Sequence, residues 1–377
     1  MKKERKIGQA DELLALFVMA LTAVGLLLLY STSTYNGEVK FQDAGYYLKK
    51  QLFASVLGMA AFFVMARIDY HRVAAFATPL YLCSIVLSTA VLFVGRSYNG
   101  SKRWLALGPF SFQPAEFAKV AVVLFLASRI SNRKKKTDTI WFMIQTMAAL
   151  LPIVGLVGTN NLSTAIIILG IGVILIFVAH PRYLPFLGIG TAGIGFIAIF
   201  LSMESYRLER LAIWRDPEKY EKGFQTIQGL YAIGSGGFFG KGLGNSAQKL
   251  GTIPEAQNDM IFSIVCEELG VFGAALLLLM FGYLLYRLFF IAQNAPDLYG
   301  TLVVAGIFVH IALQVILNLC VVLNLMPTTG ITLPFVSYGG TSILFLMTEM
   351  GIALSVSGQI RTTEAEREEM MEVETEQ

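Results

Sequence analysis

The chain has 377 residues, of which 55% are hydrophobic and 15% charged, with a mean hydropathy of +0.63. A soluble domain of this size carries roughly a quarter charged residues, so a soluble globular protein is excluded. The net charge of +3 is small and names no partner.

The apolar residues come in long blocks, such as LLALFVMALTAVGLLLLY (13–30) and LSTAIIILGIGVILIFVA (162–179). Each is long enough to cross a ~30 Å hydrocarbon core as a helix. In lipid the backbone must pair with itself, which such runs achieve only as helices. The expected fold class is therefore an all-α polytopic membrane protein. About ten spans meet the length criterion, near 11–31, 48–66, 73–94, 114–130, 141–158, 162–179, 183–203, 260–290, 299–322 and 340–359.

The basic start, MKKERKIGQADE, precedes an apolar block too long for a signal-peptide core, and no small-residue cleavage site follows it. The first span is read as retained. Residues 1–360 form one transmembrane domain with a large loop, 204–258, between spans seven and eight. The acidic tail 361–377 has no apolar face to bury and is expected to be disordered. Lys and Arg in the short loops, including Arg67, Arg72, Arg129, Arg133 and Lys134–Lys136, fall on one side if the N-terminus is cytoplasmic. The positive-inside rule then puts both termini inside and the long loop outside.

The short loop 95–113 breaks that rule, because Arg96, Lys102 and Arg103 lie outward. Cations held against the topological preference suggest an anionic ligand such as a phosphate. The basic residues of 204–258 carry less weight, since long loops cross with little regard to charge.

QPAEFAK (113–119) opens the fourth span with Pro114 in the first turn, where proline is tolerated. Glu116 and Lys119 share a helix face, and the pair reads equally as architecture and as function. GSGGFFGKGLGN (234–245) precedes no βαβ unit and is not a P-loop. Its glycines suit a tightly folded loop or a close backbone approach.

PEAQNDMIFS (254–263) puts Asp259 where the chain enters the eighth span. A carboxylate in the first helical turn is favoured by the helix dipole. The alternative is an acid or base facing an outer cavity. Glu267 and Glu268 lie deeper and are expected to pair with other spans. PTTGITLPFVSYGGTS (327–342) cannot continue a helix, and at this depth such backbone must be buried in protein or line a cavity. Glu349, in the last span, has no assigned role beyond pairing. Cys83, Cys266 and Cys320 lie in apolar runs and match no metal spacing, so no disulfide is expected.

Four segments in this order resemble the SEDS family, which includes FtsW, RodA and SpoVE: SKRWLALGPFSFQPAEFAK (101–119), GFQTIQGLYAIGSGGFFGKGLGNSAQKL (223–250), IPEAQNDMIFSIVCEELG (253–270) and TTGITLPFVSYGGTS (328–342). The resemblance covers nearly the whole chain, and the GLGNSAQK and PEAQND wording is closer to FtsW and SpoVE. It implies a peptidoglycan glycosyltransferase that polymerises lipid II outside the membrane, most simply in cell division, with a class B penicillin-binding protein and divisome proteins as partners. It makes Asp259 the essential aspartate and matches Trp104, Glu116 and Lys119 to family positions. Asn161, in TNNLSTA (159–165), stands where the family usually has an acid.

On that reading Asp259 is the catalytic residue. The candidate substrate contacts are Arg96, Lys102, Arg103, Trp104, Glu116, Lys119, Gln248, Lys249, Ser337 and Tyr338. A divalent cation, Mg or Mn, is a candidate to share the diphosphate charge, although no closed ligand set is visible. Two rival classes remain: a lipid II flippase, and a scaffold that only recruits the penicillin-binding protein.

Overall fold

The computed structural model describes residues 11–98, 101–107, 110–133, 139–180 and 205–360, with scattered positions between 185 and 195. The first helix, α1 (Glu12–Phe41), starts from an Asp11 cap whose carboxylate accepts from Leu14 N at 3.0 Å. Its 30 residues reach about 45 Å at 1.5 Å per residue. That exceeds a ~30 Å hydrocarbon core, so one end of α1 projects beyond the bundle. Helices α2 (Tyr46–Arg67), α3 (Tyr70–Val94), α4 (Pro114–Ser131), α5 (Ile140–Asn160) and α6 (Leu162–Ala179) follow. The long loop contains α7 (Ser205–Arg215) and α8 (Phe224–Ser235), and the bundle ends with α9 (Ile261–Asn294), α10 (Leu298–Val322) and α11 (Gly340–Ser357).

Eight of these helices are long and apolar enough to cross a membrane. Helix α4 is the expected fourth span. It carries Glu116, Lys119 and Arg129, and most of its residues are nonetheless buried. The expected seventh span, 183–203, lies largely outside the described residues, as does the tail 361–377. All-α polytopic architecture is therefore what the chain adopts.

Small residues let the helices approach closely, as in other membrane bundles. A Cβ at Gly351 of α11 would come within 2.5 Å of Phe62 O in α2. One at Gly306 of α10 would meet Val123 of α4 at 2.7 Å. Helices α4, α10 and α11 thus form the inner layer of the bundle.

Three features depart from the sequence expectation. The 95–113 segment is a three-stranded antiparallel sheet, β1 (Arg96–Tyr98), β2 (Ser101–Leu107) and β3 (Phe110–Phe112), with Trp104 opposite Arg96 and Leu105 opposite Phe112. The long loop is partly helical. Helix α9 is broken at Gly270 (φ 66°, ψ −167°).

The break exposes backbone groups deep in the helix, which lipid cannot satisfy. The glycine-rich loop supplies the partners. Lys241 N and Gly242 N donate to Glu267 O and Glu268 O, both at 2.9 Å, and Val271 N and Phe272 N donate to Gly237 O and Phe238 O, both at 3.0 Å. Gly240 (φ 78°) lies so close that a Cβ there would sit 2.2 Å from Glu268 O. The close backbone approach read from the glycines is made to a helix.

The 323–339 segment is non-helical and enters the bundle. Leu333, Phe335 and Val336 are buried, and Phe335 O packs where a Cβ of Gly25 in α1 would be. The opposite end of the bundle is closed by Arg287, whose Nε and guanidinium nitrogen donate to Asp11 at 2.9 and 2.5 Å.

Candidate functional site

Asp259 lies in the 251–260 loop at the end of the bundle to which α1 projects. The loop is held by several independent bonds. Asn36 of α1 donates to Gln257 Oε1 at 2.8 Å, and Lys40 pairs with Glu255 at 3.2 Å. Tyr338 N donates to Gln257 O at 2.9 Å. Asn318 of α10 donates through Nδ2 to Asp259 O and to Ile331 O, each at 2.8 Å.

The first-turn position expected for Asp259 is not what the loop adopts. Met260 occupies the N-cap of α9, and no side chain caps the helix there. Asp259 sits one residue further out, so the helix dipole is a weak reason for a carboxylate at this place.

Burial is the largest influence on that carboxyl and pushes it above the ordinary carboxylate range. Arg210 and Arg103 pull the other way, and Glu255 adds to the rise. A raised carboxyl is closer to the pH at which a general base works best.

The two arginines come from distant segments. Arg103, on β2, donates through Nε to Asn160 O at 2.8 Å, and Asn160 Nδ2 returns a bond to Lys102 O at 2.8 Å. This pair of bonds docks the sheet on the α5–α6 junction. Arg210, on α7, donates to Thr328 O at 2.7 Å, and Trp214 of the same helix donates to Asn324 O at 2.9 Å. A Cβ at Gly330 would lie 3.7 Å from the Arg103 guanidinium. Residues 103, 210, 259 and 328–331 are thus brought together. A cleft beside them is lined by Ser88, Lys102, Arg103, Gln113, Asn160 and Asn161. Asn161, at the position where an acid was expected from the resemblance, accepts from Thr164 N at 3.2 Å and caps α6.

The remaining sequence candidates separate into groups. Lys102 is exposed and reaches Leu92 O at 3.4 Å, and Trp104 is half-buried opposite Arg96; the Arg96 side chain lies outside the described set. Tyr338 packs edge-on to Tyr47 with ring centroids 4.9 Å apart, beside the Asp259 loop.

Ser337 is turned inward. Its hydroxyl accepts from Leu333 N at 2.8 Å and closes the turn. Glu116 and Lys119 pair at 3.0 Å inside the bundle, and Lys119 also donates to Gln314 at 2.8 Å. Lys249 is buried, 2.6 Å from Glu268 and 3.2 Å from Ser31 Oγ. Gln248 N donates to Glu267 at 3.4 Å.

Glu267 also takes Lys241 at 2.6 Å and the Ser246 hydroxyl. These two glutamates anchor the long loop to α9, so Lys249 serves that anchor rather than an open surface. Glu268 bonds span one through Ser31 at 2.6 Å, as the sequence suggested, whereas Glu267 bonds the loop. Arg210 was not singled out from the sequence. Its only signal there is a basic residue on a short amphipathic stretch.

The family model FtsW/RodA/SpoVE, described as "Cell cycle protein", matches residues 11–362. "Stage V sporulation protein E" of Bacillus subtilis (strain 168) is 39% identical over 362 residues, covering 92% of this chain and 96% of that protein. "Probable peptidoglycan glycosyltransferase FtsW" of Trichlorobacter lovleyi is 35% identical over 370 residues, covering 96% of each. Among solved structures, one described as "Structural coordination of polymerization and crosslinking by a peptidoglycan synthase complex" superposes with a TM-score of 0.77 at 32% identity, covering 92% of this chain and 97% of that one. The rod shape determining protein RodA of Thermus thermophilus gives 0.71 at 29% identity, covering 95% and 100%.

Proposed function

The chain belongs to the FtsW, RodA and SpoVE family of cell cycle proteins, and from that premise we propose that it polymerises lipid II into glycan strands. It is a multi-pass membrane protein and a peptidoglycan glycosyltransferase by family. The observation that carries the reading is the convergence of the half-buried Asp259 carboxyl with Arg103 and Arg210 at one end of the bundle.

The chemistry needs a proton acceptor and a place for a departing diphosphate. Asp259 takes the proton from the acceptor's GlcNAc 4-hydroxyl. That oxygen forms a bond to the anomeric carbon of the lipid-linked MurNAc, and the bond from that carbon to the diphosphate oxygen breaks. The electron pair leaves with undecaprenyl diphosphate, whose charge Arg103 and Arg210 offset. Fixed cations aimed at developing charge act in this way in other phosphate-releasing sites. Lys102, Trp104 and Tyr338 line the approach.

Among the described residues no group of three or more His, Cys, Asp or Glu side chains forms a metal-binding set. A divalent cation, Mg or Mn, carried by the substrate diphosphate would share its charge, and no step above runs through it. The proposal puts the Asp259 end outside the cytoplasmic membrane and both termini inside. It makes a class B penicillin-binding protein the partner and the division septum the place of action.

Purified protein given lipid II, with and without the partner, separates the classes. Glycan polymer supports the enzyme. Movement of lipid II across a vesicle membrane without polymer would make the protein a transporter, and neither activity would leave a scaffold.

A further inference from the structure

Helix α10 carries His310, Gln314 and Asn318 at i, i+4 and i+8, a spacing that puts all three on one face. All three are buried. They span about 12 Å of helix at 1.5 Å per residue. At one end His310 Nδ1 lies 2.8 and 3.0 Å from the two oxygens of Glu349 on α11. His310 Nε2 lies 3.0 Å from Gln314 Oε1, which also receives Lys119 Nζ at 2.8 Å. Gln314 Nε2 donates to Thr332 O at 3.0 Å. At the other end Asn318 Nδ2 donates to Ile331 O and to Asp259 O, each at 2.8 Å.

The donors and acceptors fix how these groups are turned. A lysine ammonium has only hydrogens to give, and a backbone carbonyl can only accept. Gln314 must therefore point Oε1 at Lys119 and Nε2 at Thr332. His310 Nε2 then faces an acceptor and carries a proton. Nδ1 faces the Glu349 carboxyl, so each ring nitrogen has a partner. Glu116 pairs with Lys119 at 3.0 Å. Each ionisable group of the cluster thus has a partner, as buried charge requires.

The far end of this stripe is the site. Residues 328–332 form a strap that meets both arginines of the proposed mechanism and two members of the stripe: Arg210 on Thr328 O, Arg103 beside Gly330, Asn318 on Ile331 O, and Gln314 on Thr332 O. Asn318 spends both amide hydrogens, one on the strap and one on Asp259 O. It ties the carboxyl's backbone to the backbone that carries the arginines.

We propose that His310, Gln314 and Asn318 are positioning residues, a polar spine that holds Asp259 in register with the 328–332 strap. The spine touches no reacting atom. It fixes where the base stands relative to the cations. Displacing a catalytic group by about 1 Å costs on the order of 10²-fold in rate, so the spine acts on kcat. The inference rests on the glycosyltransferase reading for its kinetic arm only.

The test combines amide hydrogen exchange with polymerisation kinetics on purified full-length protein. Asn318→Leu keeps the branching of the side chain and removes both bonds. Expected are faster exchange in 253–260 and in 328–333, a kcat at least tenfold lower, and a KM for lipid II within twofold of the parent. Unchanged exchange in both segments overturns the spine, and so does a rise in KM at unchanged kcat.

A second variant guards against misfolding. The double change His310→Gln with Glu349→Gln releases Gln314 without stranding a charge. It is expected to raise exchange in 328–333 and to lower kcat less than Asn318→Leu does; no rise in exchange overturns the proposal. Exchange is read without substrate. A parent protein that makes no polymer therefore sinks the functional reading while the exchange data still decide the spine.

Discussion

Replacing Asp259 by Asn isolates what its charge does. The exchange keeps the shape and removes the proton acceptor. If the carboxylate only favoured the helix dipole, it would be worth about 0.3–1 kcal/mol in stability. The geometry leaves less than that, because Met260 holds the N-cap and Asp259 stands outside it. The stability effect even has the opposite sign. Burial holds the Asp259 carboxyl above the ordinary range of about 3.9. The folded state therefore binds a proton more readily than the unfolded state does. Stability falls as pH rises from the ordinary value through the raised one, and above that window the parent carries the cost of a partly desolvated charge. Asp259→Asn has no such cost, so at neutral pH its melting temperature should equal or exceed the parent's.

The kinetic effect should be large. General-base help is worth ~10²–10⁴-fold, and a 10²-fold loss is about 2.7 kcal/mol of barrier. The assay is lipid II polymerisation at saturating substrate, with the penicillin-binding partner present and the melting curve recorded on the same preparation. The acid limb of kcat/KM in the parent should fall above the ordinary carboxylate range and should be absent from any residual Asp259→Asn activity. A variant that extends lipid II at near-parent rate refutes the assignment. So does a rate loss matched by an equal loss of folded protein.

Four further outcomes follow from the same geometry. Arg103→Ala and Arg210→Ala should each weaken lipid II use at unchanged membrane insertion, with only partial rescue by Lys, since the guanidinium fork grips a diphosphate in two places and an ammonium does not; normal kinetics at limiting lipid II would remove the residue concerned from the site. Lys249→Met should destabilise the protein by about 3–5 kcal/mol, because it strands the buried Glu268, and a variant with parental melting but impaired substrate binding would contradict the anchoring role. Single cysteines at Glu218 and Asn132, both exposed, should react with an impermeant reagent in intact cells at 218 and not at 132; the reverse pattern overturns the orientation. Chelation should slow polymerisation reversibly, with no metal retained by the purified protein, and a tightly held ion found by elemental analysis would argue for a resident site.

The spans were legible because hydrocarbon demands long apolar runs, and such runs need no partner to be recognised. The Glu116–Lys119 pair was legible for a similar reason: three residues apart on a helix is a local fact. What the sequence hid was long-range. The run around Gly270 reads as unbroken helix, and the loop that repairs the break lies some thirty residues earlier. RSYNGSKRWLALGPFSF carries Asn-Gly at 99–100 and Gly-Pro at 108–109, turn dipeptides that mark a plain connection between spans as readily as a sheet. Lys249 looked available because its partner, Glu268, sits on another element. Arg210 was discounted with the rest of the long loop, whose charges obey no topological rule. His310, Gln314 and Asn318 stand at regular spacing, yet a polar stripe on a buried helix means little until its acceptors are known.

That contrast separates Asp259 from the other acids of the bundle. Glu267, Glu268, Glu116 and Glu349 each have a cation or imidazole within about 3 Å, inside the range of a charge-assisted bond. Each is committed to holding elements together, and none is poised to exchange a proton with a ligand. Arg103 and Arg210 instead give hydrogen bonds to backbone carbonyls, Asn160 O and Thr328 O, while acting on Asp259 through space. Their incomplete neutralisation of Asp259 is what lets burial win and the carboxyl rise. A tight ion pair there would depress the carboxyl and spoil the base. In the proposed mechanism the carboxyl takes the proton and the two arginines face the diphosphate, and the through-space arrangement leaves the carboxyl raised. The carbonyl tethers and the α10 spine are the parts of the fold that maintain that separation.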